Sequence, residues 1–399
     1  MLNSDTTSAA RALRGTLLLL ATIAGVTAAN IYYNQPLLDA FRRSFPAQAS
    51  WVGLVPALTQ LGFALGMLLL APLGDRYDRR KLMLGQVIAM CATLIVAATA
   101  PNLVVLIFAS LAMGVIGHIP QHALPFAAEL SPSSERGRAV GTVMSGLFLG
   151  ILLARTAAGL VAEYFGWRSV FGASVISLLL LSALIVARLP KSQPSSELSY
   201  KRLLTSLWHL SVELRELRES AVTGAALFAS FSAFWSVLAF LLSDAPFNYG
   251  PQVAGLFGLV GAAGVLVAPI AGRFADRRGT YSVISVAICL VVVSHIVLAF
   301  SGRSVTGLVI GVVVLDVGVQ AGQIANQSRI YGLKPEARSR INTIYMTAYF
   351  LGGALGSAAA TVVWAHFGWL GVCVAGIGFA AIAGWNHWRS AESAPTQSC

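Results

Sequence analysis

Long runs of apolar residues, separated by short polar stretches, extend along almost the whole chain. Most of these runs have about 18 to 25 residues, the length that an α-helix needs to cross roughly 30 Å of hydrocarbon. With Gly, Pro and charged residues taken as the ends of each run, the pattern predicts twelve membrane-spanning helices, which we label α1 to α12: 15–37, 50–73, 82–100, 103–128, 140–163, 168–188, 220–243, 252–272, 280–300, 304–330, 341–365 and 368–388. The expected fold class is an all-α integral membrane protein.

The first run has an alternative interpretation as a cleaved signal peptide. Arg11 and Arg14 precede its apolar part, and Thr27-Ala28-Ala29 resembles a cleavage site. We favour a membrane helix, because residues 30–35 continue the helical pattern and an even number of spans requires it.

The composition supports a membrane protein. Of the 399 residues, 56% are hydrophobic and 11% are charged, whereas about a quarter of the residues of a soluble domain are charged. This balance excludes a disordered chain, a collagen, a secreted disulfide scaffold and an ordinary cytosolic enzyme. The four cysteines show no paired spacing, so we interpret them as small apolar packing residues: Cys91, Cys289, Cys373 and Cys399.

The excess of basic residues, 27 Lys and Arg against 16 Asp and Glu, follows the predicted topology. If both termini lie on one side of the membrane, 21 of the 27 basic residues fall on that side. The other side holds Arg42, Arg43, Arg168 and Arg303. The positive-inside rule then predicts that both termini are cytoplasmic. Membrane topology explains the basic excess, and we expect no nucleic-acid partner.

The sequence contains an internal repeat of about two hundred residues. Three motifs recur in order at an offset of 201 or 202 residues: Asp75-Arg76 as Asp276-Arg277, Arg136-Gly137-Arg138 as Arg338-Ser339-Arg340, and Phe165-Gly166-Trp167 as Phe367-Gly368-Trp369. The repeat predicts an N-terminal six-helix bundle over 1–189 and a C-terminal six-helix bundle over 220–399. Two such halves around a site near the membrane midplane are typical of carriers that work by alternating access.

Residues 190–219 are predicted to be a linker between the two halves. Pro190, Pro194 and several serines come first, and leucines at helical spacing then alternate with charged residues: Leu203, Leu207, Leu210, Leu214 and Leu217. This pattern predicts an amphipathic helix on the cytoplasmic face.

The loop 71–81, with Asp75-Arg76 and Arg79-Arg80-Lys81, closely resembles the signature between helices 2 and 3 of the major facilitator superfamily, and the loop 272–279 is nearer still. The resemblance covers essentially the whole chain and is strongest to the bacterial twelve-helix drug/proton antiporter branch. The chain departs from that branch in having Ala71 and Asp78 where glycine is usual, Ser110 where an arginine is frequent, and Arg155 where a glycine is expected.

The resemblance implies the major facilitator fold in a bacterial inner membrane. It implies a small-molecule substrate, exchange with protons and no cofactor; we also expect a monomer. It further implies that Asp75, with Arg76, Arg79 and Arg80, closes a cytoplasmic gate by engaging the other half, and that Asp276 and Arg277 are the second copy of this gate. The alternative is that these charges only set the topology.

Two charges fall near the middle of apolar runs, Arg155 on α5 and Asp316 on α10. Charges at membrane depth are costly and are functional candidates by default. A guanidinium keeps its charge and can bind a carboxylate or phosphate, whereas a carboxyl group in a low-dielectric cavity can exchange a proton near neutrality. We therefore expect Asp316 to be the proton site and Arg155 its partner or a substrate anchor. A static ion pair between the halves is the alternative.

Polar residues at helical spacing predict a hydrated path. On α10, Asp316, Gln320, Gln323 and Gln327 share one face, which a helix facing lipid would not carry. The other expected lining residues are Asn30, Tyr33 and Asn34 on α1, Gln121 on α4, and Tyr345 and Tyr349 on α11, with Phe234 and Trp235 on α7 as an aromatic wall. For each aromatic residue, ordinary helix packing is the alternative.

His118 and His122 lie one turn apart on α4. A metal site is disfavoured, because the segment lacks the glutamate of a zinc protease motif and Pro120 would disturb the helix. A proton relay or polar lining is favoured, since histidine titrates near pH 6.5. His295 on α9 is expected to lie at the membrane interface. Four Gly-x-x-x-Gly pairs are expected to allow close helix contact: Gly62/Gly66, Gly146/Gly150, Gly318/Gly322 and Gly352/Gly356.

Three other classes of function are disfavoured or left open by the sequence. An intramembrane enzyme would need a nucleophile with a base, paired carboxylates or a metal set, and the sequence has no such motif. A channel would not require two matched halves. A proton-coupled exporter of small amphipathic or acidic molecules is favoured, and an importer of a small organic anion is the alternative that Arg155 supports.

Overall fold

The computed structural model describes residues 2–133, 135–192, 200–261, 277, 279–334 and 337–392, without the side chains of 2–12, 75 and 391–392. The described part consists of helices joined by short turns and loops. The spans are α1 Leu2–Tyr32, α2 Leu54–Leu69, α3 Arg79–Ala98, α4 Leu103–Ile116 with Pro120–Leu130, α5 Arg136–Phe165, α6 Trp167–Arg188, α7 Arg215–Trp235 with Leu238–Ser243, α8 Pro251–Val260, α9 Thr280–Phe300, α10 Val305–Tyr331, and α11 with α12 as Arg338–Glu392. Shorter helices are Gln35–Leu37, Leu38–Ser44, Pro46–Trp51, Ala71–Asp75 and Tyr200–Glu213. The predicted end of α8 at 272 lies outside the described residues.

Two glycines turn the chain between successive spans. The helix Arg338–Glu392 has 55 residues and, if straight, would be about 80 Å long, far more than a bilayer is thick. Gly368 breaks it with a φ of 59°, and Gly166 has a φ of 79° between α5 and α6. A positive φ favours glycine because glycine has no Cβ. The two Phe-Gly-Trp copies found in the sequence are therefore equivalent turns between α5 and α6 and between α11 and α12.

Three helices are shortened, extended or interrupted relative to the predicted spans, whereas the described ends of the others agree to within a few residues. The helix α1 ends at Tyr32 rather than at 37, since Pro36 follows and has no N–H to continue the helical bonds. The helix α4 is interrupted between Ile116 and Pro120 for the same reason. The helix α7 begins at Arg215 rather than 220 and is interrupted after Trp235.

Glycines allow close approach of helices within each half. A Cβ added to Gly150 would overlap the backbone of Gly25, which brings α5 onto α1. A Cβ added to Gly356 would overlap the backbone of Ala229, which brings α11 onto α7. These contacts are equivalent in the two halves. Close packing is thus present at the Gly-x-x-x-Gly positions expected from the sequence.

The two halves contact each other through α2 against α11 and α5 against α8. We call the end of the bundle at which α1 begins and α12 ends the terminal face, and the other end the opposite face. The linker helix Tyr200–Glu213 lies at the terminal face with Leu203, Leu207 and Leu210 buried. It contacts both halves, because Tyr200 donates to the Leu69 carbonyl at 2.7 Å and Lys334 pairs with Glu213 at 2.5 Å.

His295 is buried, with 1% of its surface exposed, and not interfacial as expected from the sequence. Its Nδ1 donates to the Val291 carbonyl oxygen at 3.0 Å, which satisfies one ring nitrogen inside its own helix. The ring packs against α12 at Gly376, where a Cβ would overlap the imidazole. The His295 ring fits in the interior because Gly376 has no side chain.

Replacing Gly376 with Leu is expected to destabilise the protein by about 1 to 3 kcal/mol, because the new side chain must displace the buried His295 ring. Gly378 on the same helix has no atom within 4 Å of an added Cβ, so Gly378→Leu is the matched control. The apparent melting temperature of the purified protein in one detergent would compare the two. Equal melting temperatures for both variants would contradict the assigned packing.

Candidate functional site

Arg155 lies near the centre of the bundle, where residues from both halves contact it. It is buried, with 5% of its surface exposed. Its guanidinium lies 4.0 Å from the centre of the Trp235 ring of α7 and 5.0 Å from that of Tyr32 at the end of α1. Its Nε donates to Gln35 Oε1 at 2.5 Å. Gln35 reaches this position because the chain leaves α1 after Tyr32. The two aromatic faces and the amide hold a buried cation.

Asp316 of α10 is also buried, with 5% of its surface exposed, and lies close to the same tryptophan. A Cβ added to Gly261 would lie 3.0 Å from Asp316 Oδ1 and 3.4 Å from Trp235 Cζ2. A Cβ added to Gly258 would lie 2.8 Å from the Arg155 Cβ. Glycines at a spacing of three therefore bring α8 against both charged residues.

The static ion pair that the sequence left open is not formed. In the described part of the chain, no nitrogen–oxygen contact within 4.0 Å joins Arg155 and Asp316. Asp316 Oδ2 is buried and has no hydrogen-bond partner among the described residues. Such an orphaned acceptor is costly in a packed interior, and a proton or a ligand would relieve it.

The polar residues of α10 share one face, as their spacing indicates. In the structure this face is directed towards α11. Tyr349 donates to Gln323 Oε1 at 3.3 Å, and Gln327 Nε2 donates to Asn342 Oδ1 at 3.2 Å. Gln320 is partly buried. Tyr345 is fully buried, and its hydroxyl has no partner in the described part of the structure. This polar face therefore lies inside the C-terminal half.

The aromatic wall is larger than the sequence indicated. Phe234 and Trp235 are both buried and contact each other at 5.5 Å. Phe228, which the sequence analysis missed, stacks on Tyr349 at 4.0 Å. Phe63 of α2 meets Phe350 of α11 at 4.1 Å, so the wall crosses between the halves.

Asn30 and Tyr33 do not line the centre. Ser174 of α6 donates to Asn30 Oδ1 at 2.6 Å, and the Tyr33 hydroxyl lies near the same serine. Both side chains therefore face α6, and Tyr32 takes the place expected for Tyr33. Asn34 does face the centre, where its Nδ2 donates to Thr59 at 2.8 Å and its Oδ1 has no partner among the described residues.

The two histidines of α4 lie towards the terminal face. His118 Nδ1 donates to the Val115 carbonyl at 2.9 Å, so its Nε2 accepts from Gln86 at 2.8 Å. The His122 ring lies 5.3 Å from that of His118. His122 and Gln121 line a partly open cleft that Arg340 also borders. Within the described part, no group of three potential metal ligands occurs.

The loop residues of the expected gate make their described contacts within the N-terminal half. Arg79 pairs with Glu129 at the end of α4, and Arg80 donates to the Val186 carbonyl of α6 at 2.6 Å. Arg76 and Arg277 are exposed. The Asp75 side chain and the whole of Asp276 lie outside the described residues. The gate role of all six residues stays a prediction.

Between the centre and the opposite face, a buried polar network joins the two halves. Gln60 of α2 donates to Ser357 of α11 at 3.0 Å and accepts from Ser232 of α7 at 3.1 Å. Ser236 donates to Ser357 at 2.8 Å. A Cβ added to Gly353 would overlap Gln60 Oε1. The opposite face is therefore packed shut between α2, α7 and α11.

An ion pair at the surface extends this closure. Arg42 contacts Asp39 at 2.6 Å in its own half and Asp244 at 2.7 Å in the other half. Its guanidinium also lies 5.2 Å from the Phe240 ring. Arg42 thus links the helix that follows α1 to the end of α7.

Replacing Arg42 with Gln is expected to increase opening at the opposite face by up to about fivefold, because a partly exposed pair contributes roughly 0.2 to 1 kcal/mol. Arg43 bonds Asp39 of the same half at 2.7 Å, so Arg43→Gln is the control. The alkylation rate of a single cysteine at Ser357 by an impermeant maleimide would measure opening, with the native cysteines replaced. Equal rates in both variants would contradict a link between the halves.

Two six-helix halves around a buried, charged and aromatic centre define an integral membrane carrier of the secondary-transporter class. The sequence model of the Major Facilitator Superfamily matches residues 17–357, and the chain belongs to this family. It is therefore a membrane transporter and not an enzyme.

Bacterial transporters are similar to the chain over most of its length. The Escherichia coli O157:H7 protein YgaY, described as an uncharacterized transporter, is 40% identical, covering 94% of this chain and 95% of its own. The Streptomyces coelicolor probable transporter SCO4007 is 35% identical, covering 92% and 85%. The Streptococcus pneumoniae multi-drug resistance efflux pump PmrA is 25% identical, covering 80% and 81%.

The fold is similar to that of a bacterial homologue of the human lysosomal transporter Spinster, solved inward-facing and unoccupied. The TM-score is 0.75 at 14% sequence identity, covering 96% of this chain and 97% of that one. This similarity supports the fold alone.

Proposed function

We propose that the protein is a proton-coupled transporter that exports small amphipathic or acidic organic molecules by alternating access. One observation carries the proposal. Arg155 from the N-terminal half and Asp316 from the C-terminal half are both buried beside Trp235, and they do not form an ion pair. Buried charges that neutralise each other fully would indicate a structural clamp, whereas these two leave bonding capacity for a ligand and a proton.

The two charges suit different tasks. The guanidinium of Arg155 stays charged at any relevant pH and presents a planar fork to a carboxylate. The carboxyl of Asp316 can exist with or without a proton, and its unpartnered oxygen is where a proton would bind. We assign substrate binding to Arg155 and proton coupling to Asp316. When Asp316 is neutral, Arg155 is the only full charge of the two, which favours an anionic group nearby.

We propose that the terminal face is cytoplasmic and that the chain spans the bacterial inner membrane. The distribution of Lys and Arg supports this orientation. The opposite face is then periplasmic, and the packed network of Gln60, Ser232 and Ser357 closes it. In this conformation the central site would exchange with the cytoplasm. Movement of residues 1–189 against 220–399, joined by 190–219, would then open the periplasmic side.

One relative favours export, since PmrA is described as a multi-drug resistance efflux pump. The aromatic wall of Phe228, Trp235 and Tyr349 also suits amphipathic compounds. The alternative is a proton-coupled importer of a small organic anion, which the buried Arg155 favours. The two functions differ in the direction of proton movement relative to substrate.

Membrane vesicles with defined orientation test the proposal. Everted vesicles are acidified inside by respiration, and a pH-responsive dye follows the gradient while ethidium or single carboxylates are added. An exporter that exchanges substrate for protons would release luminal protons on addition of its substrate, and vesicles without the protein would not. Proton-linked uptake in right-side-out vesicles alone would instead establish the importer and contradict export.

A further inference from the structure

We propose that the linker helix Tyr200–Glu213 binds anionic phospholipids of the membrane leaflet at the terminal face. The helix lies in the headgroup layer, with Trp208 inserted among the lipids and Lys201 beside their phosphates. This inference goes beyond the proposed function, because it concerns the surface of the protein and holds for either direction of transport. Three features carry it: the division of the helix into three edges, the depth at which the helix is held, and a lysine on its exposed apolar edge.

The linker helix has two apolar edges, and the bundle covers only one of them. The bundle edge is buried and consists of Leu203, Leu207 and Leu210. Since successive residues of an α-helix are rotated by about 100°, a second apolar edge lies about 130° around the helix from the first. We call it the outer edge, and it consists of Leu204, Trp208 and Val212. Trp208 and Val212 are 69% and 58% exposed. A helix that had only the bundle as an apolar partner would not need this second edge.

The third edge of the linker helix is polar. It consists of Arg202, His209 and Glu213, which are all exposed. This polar edge lies about 110° to 120° from each of the two apolar edges. A helix at the membrane surface has three kinds of surroundings, which are protein, lipid and water, whereas a helix on a protein surface in water has two. The three edges therefore fit a helix that lies in the membrane interface.

Both ends of the linker helix are held where membrane-spanning helices end. The Tyr200 hydroxyl donates to the carbonyl of Leu69, the last residue of α2, at 2.7 Å. The side chains of Leu65 and Leu69 are 38% and 41% exposed, so the apolar outer surface of α2 reaches the start of the linker helix. At the other end, Glu213 pairs with Lys334, which follows α10. The linker helix is thus held at the depth at which α2 and α10 leave the hydrocarbon.

Tryptophan suits this depth. Its ring has an apolar face and one polar N–H group, and tryptophan is therefore enriched at the headgroup level of membranes. Trp385 and Trp388, near the end of α12 at the same face of the bundle, are also exposed, by 59% and 54%. Trp208 extends this set of interfacial tryptophans onto the linker helix.

The charge on the outer edge is positive. Helical rotation places Lys201 between Trp208 and Val212 on this edge. Lys201 is exposed, and no carboxylate pairs with it in the described part of the chain. A lysine stem can lie along apolar surface while its ammonium group reaches the phosphates, and an anionic leaflet attracts such a group. Anionic headgroups are therefore favoured over zwitterionic ones.

Fluorescence quenching by lipids tests the inference on the full-length protein. With the native cysteines replaced, an NBD fluorophore is attached to Leu204→Cys or Val212→Cys on the outer edge, or to His209→Cys on the polar edge. The protein is placed in nanodiscs of phosphatidylcholine and phosphatidylglycerol that contain lipids with a nitroxide near the carbonyl end of one acyl chain. Both outer-edge labels are expected to be quenched several-fold more strongly than the His209→Cys label, because the positions lie on different sides of a helix about 10 Å across. The His209→Cys label is expected to be the one that aqueous iodide quenches most.

Nitroxide lipids that differ only in their headgroup measure the preference for anionic lipid. Phosphatidylglycerol is expected to quench the Leu204→Cys label about fivefold more efficiently than phosphatidylcholine. Lys201→Gln is expected to lower this ratio to less than about twofold, because the ammonium group on the outer edge is lost. Arg202→Gln makes the same change of charge on the polar edge and is the matched control. It is expected to leave the ratio above about threefold.

Two results would overturn the inference. If iodide quenches both outer-edge labels and the nitroxide lipids quench neither, the outer edge faces water, and its apolar residues are left for a soluble protein partner. If the two lipids quench the Leu204→Cys label equally, or if Lys201→Gln and Arg202→Gln lower the ratio by the same factor, Lys201 does not select an anionic headgroup.

Discussion

Replacing Asp316 with Asn is expected to abolish proton-driven accumulation of substrate while leaving exchange of substrate for substrate intact. Asparagine has nearly the same shape and can still form hydrogen bonds, but it cannot release a proton. A pH difference of one unit can support about a tenfold concentration ratio for each coupled proton. We expect this ratio to fall to about one in the variant, because the gradient no longer acts on the carrier.

Proteoliposomes measure both activities on the same preparation. Accumulation is recorded under an imposed pH gradient, and counterflow is recorded with labelled substrate outside and unlabelled substrate inside. Asp316→Glu is the matched control, since it retains a carboxyl group at the site and should preserve part of the coupling. Accumulation by Asp316→Asn equal to that of the original protein would remove Asp316 from the proton pathway.

Local chemistry explains why much of the fold could be predicted. An apolar run long enough to cross the membrane can hardly form anything but a helix, because its backbone must bond to itself in lipid. The glycine turns at Gly166 and Gly368 and the close pairs such as Gly146/Gly150 follow from side-chain size alone. The breaks in α4 and α7 were harder to predict. In α4, Pro120 is a visible signal for the interruption. In α7, no comparable residue precedes the break after Trp235.

The candidate site was predictable only in part. Arg155 and Asp316 stand out because each is a charge within an apolar run. Asn30 and Tyr33 were assigned to the centre by extending one helical face of α1, but whether that face meets α5 or α6 is decided by packing between helices. Ser174 of α6, which bonds Asn30 and lies near Tyr33, gives no sign of this in the sequence.

Gln35 and Gln60 are two polar candidates that the sequence analysis missed. Gln35 reaches Arg155 because α1 ends at Tyr32. Pro36 was an available signal for that ending. Gln60 is an amide within an apolar run, which is the same signal that singled out the glutamines of α10. Its partners Ser232 and Ser357 belong to the other half, and contacts between the halves leave no pattern in a single sequence.

Replacing Gly53 with Ala is expected to prevent closure of the opposite face and thereby stop transport. Gly53 precedes α2, and an added Cβ would overlap the side chain of Thr361 on α11 at its Oγ1, Cβ and Cγ2 atoms. Because the overlap includes Thr361 Cβ, rotation of that side chain cannot relieve it, and the halves must separate. Overpacking costs about 1 to 3 kcal/mol, which corresponds to a loss of roughly five- to 150-fold in the ratio of closed to open conformation.

The added methyl group of Gly53→Ala is expected to have two effects that can be measured together. A single cysteine at Ser357 should become reactive to an impermeant maleimide from the opposite face, while substrate transport falls in the same cells. Gly85→Ala on α3 should change neither quantity, since no atom lies within 4 Å of a Cβ added there. Combining Gly53→Ala with Thr361→Gly removes the overlapping atoms and should restore both closure and transport. If the double variant remained open, the overlap with Thr361 would not be the cause, and the contact between α2 and α11 would not be what closes this face.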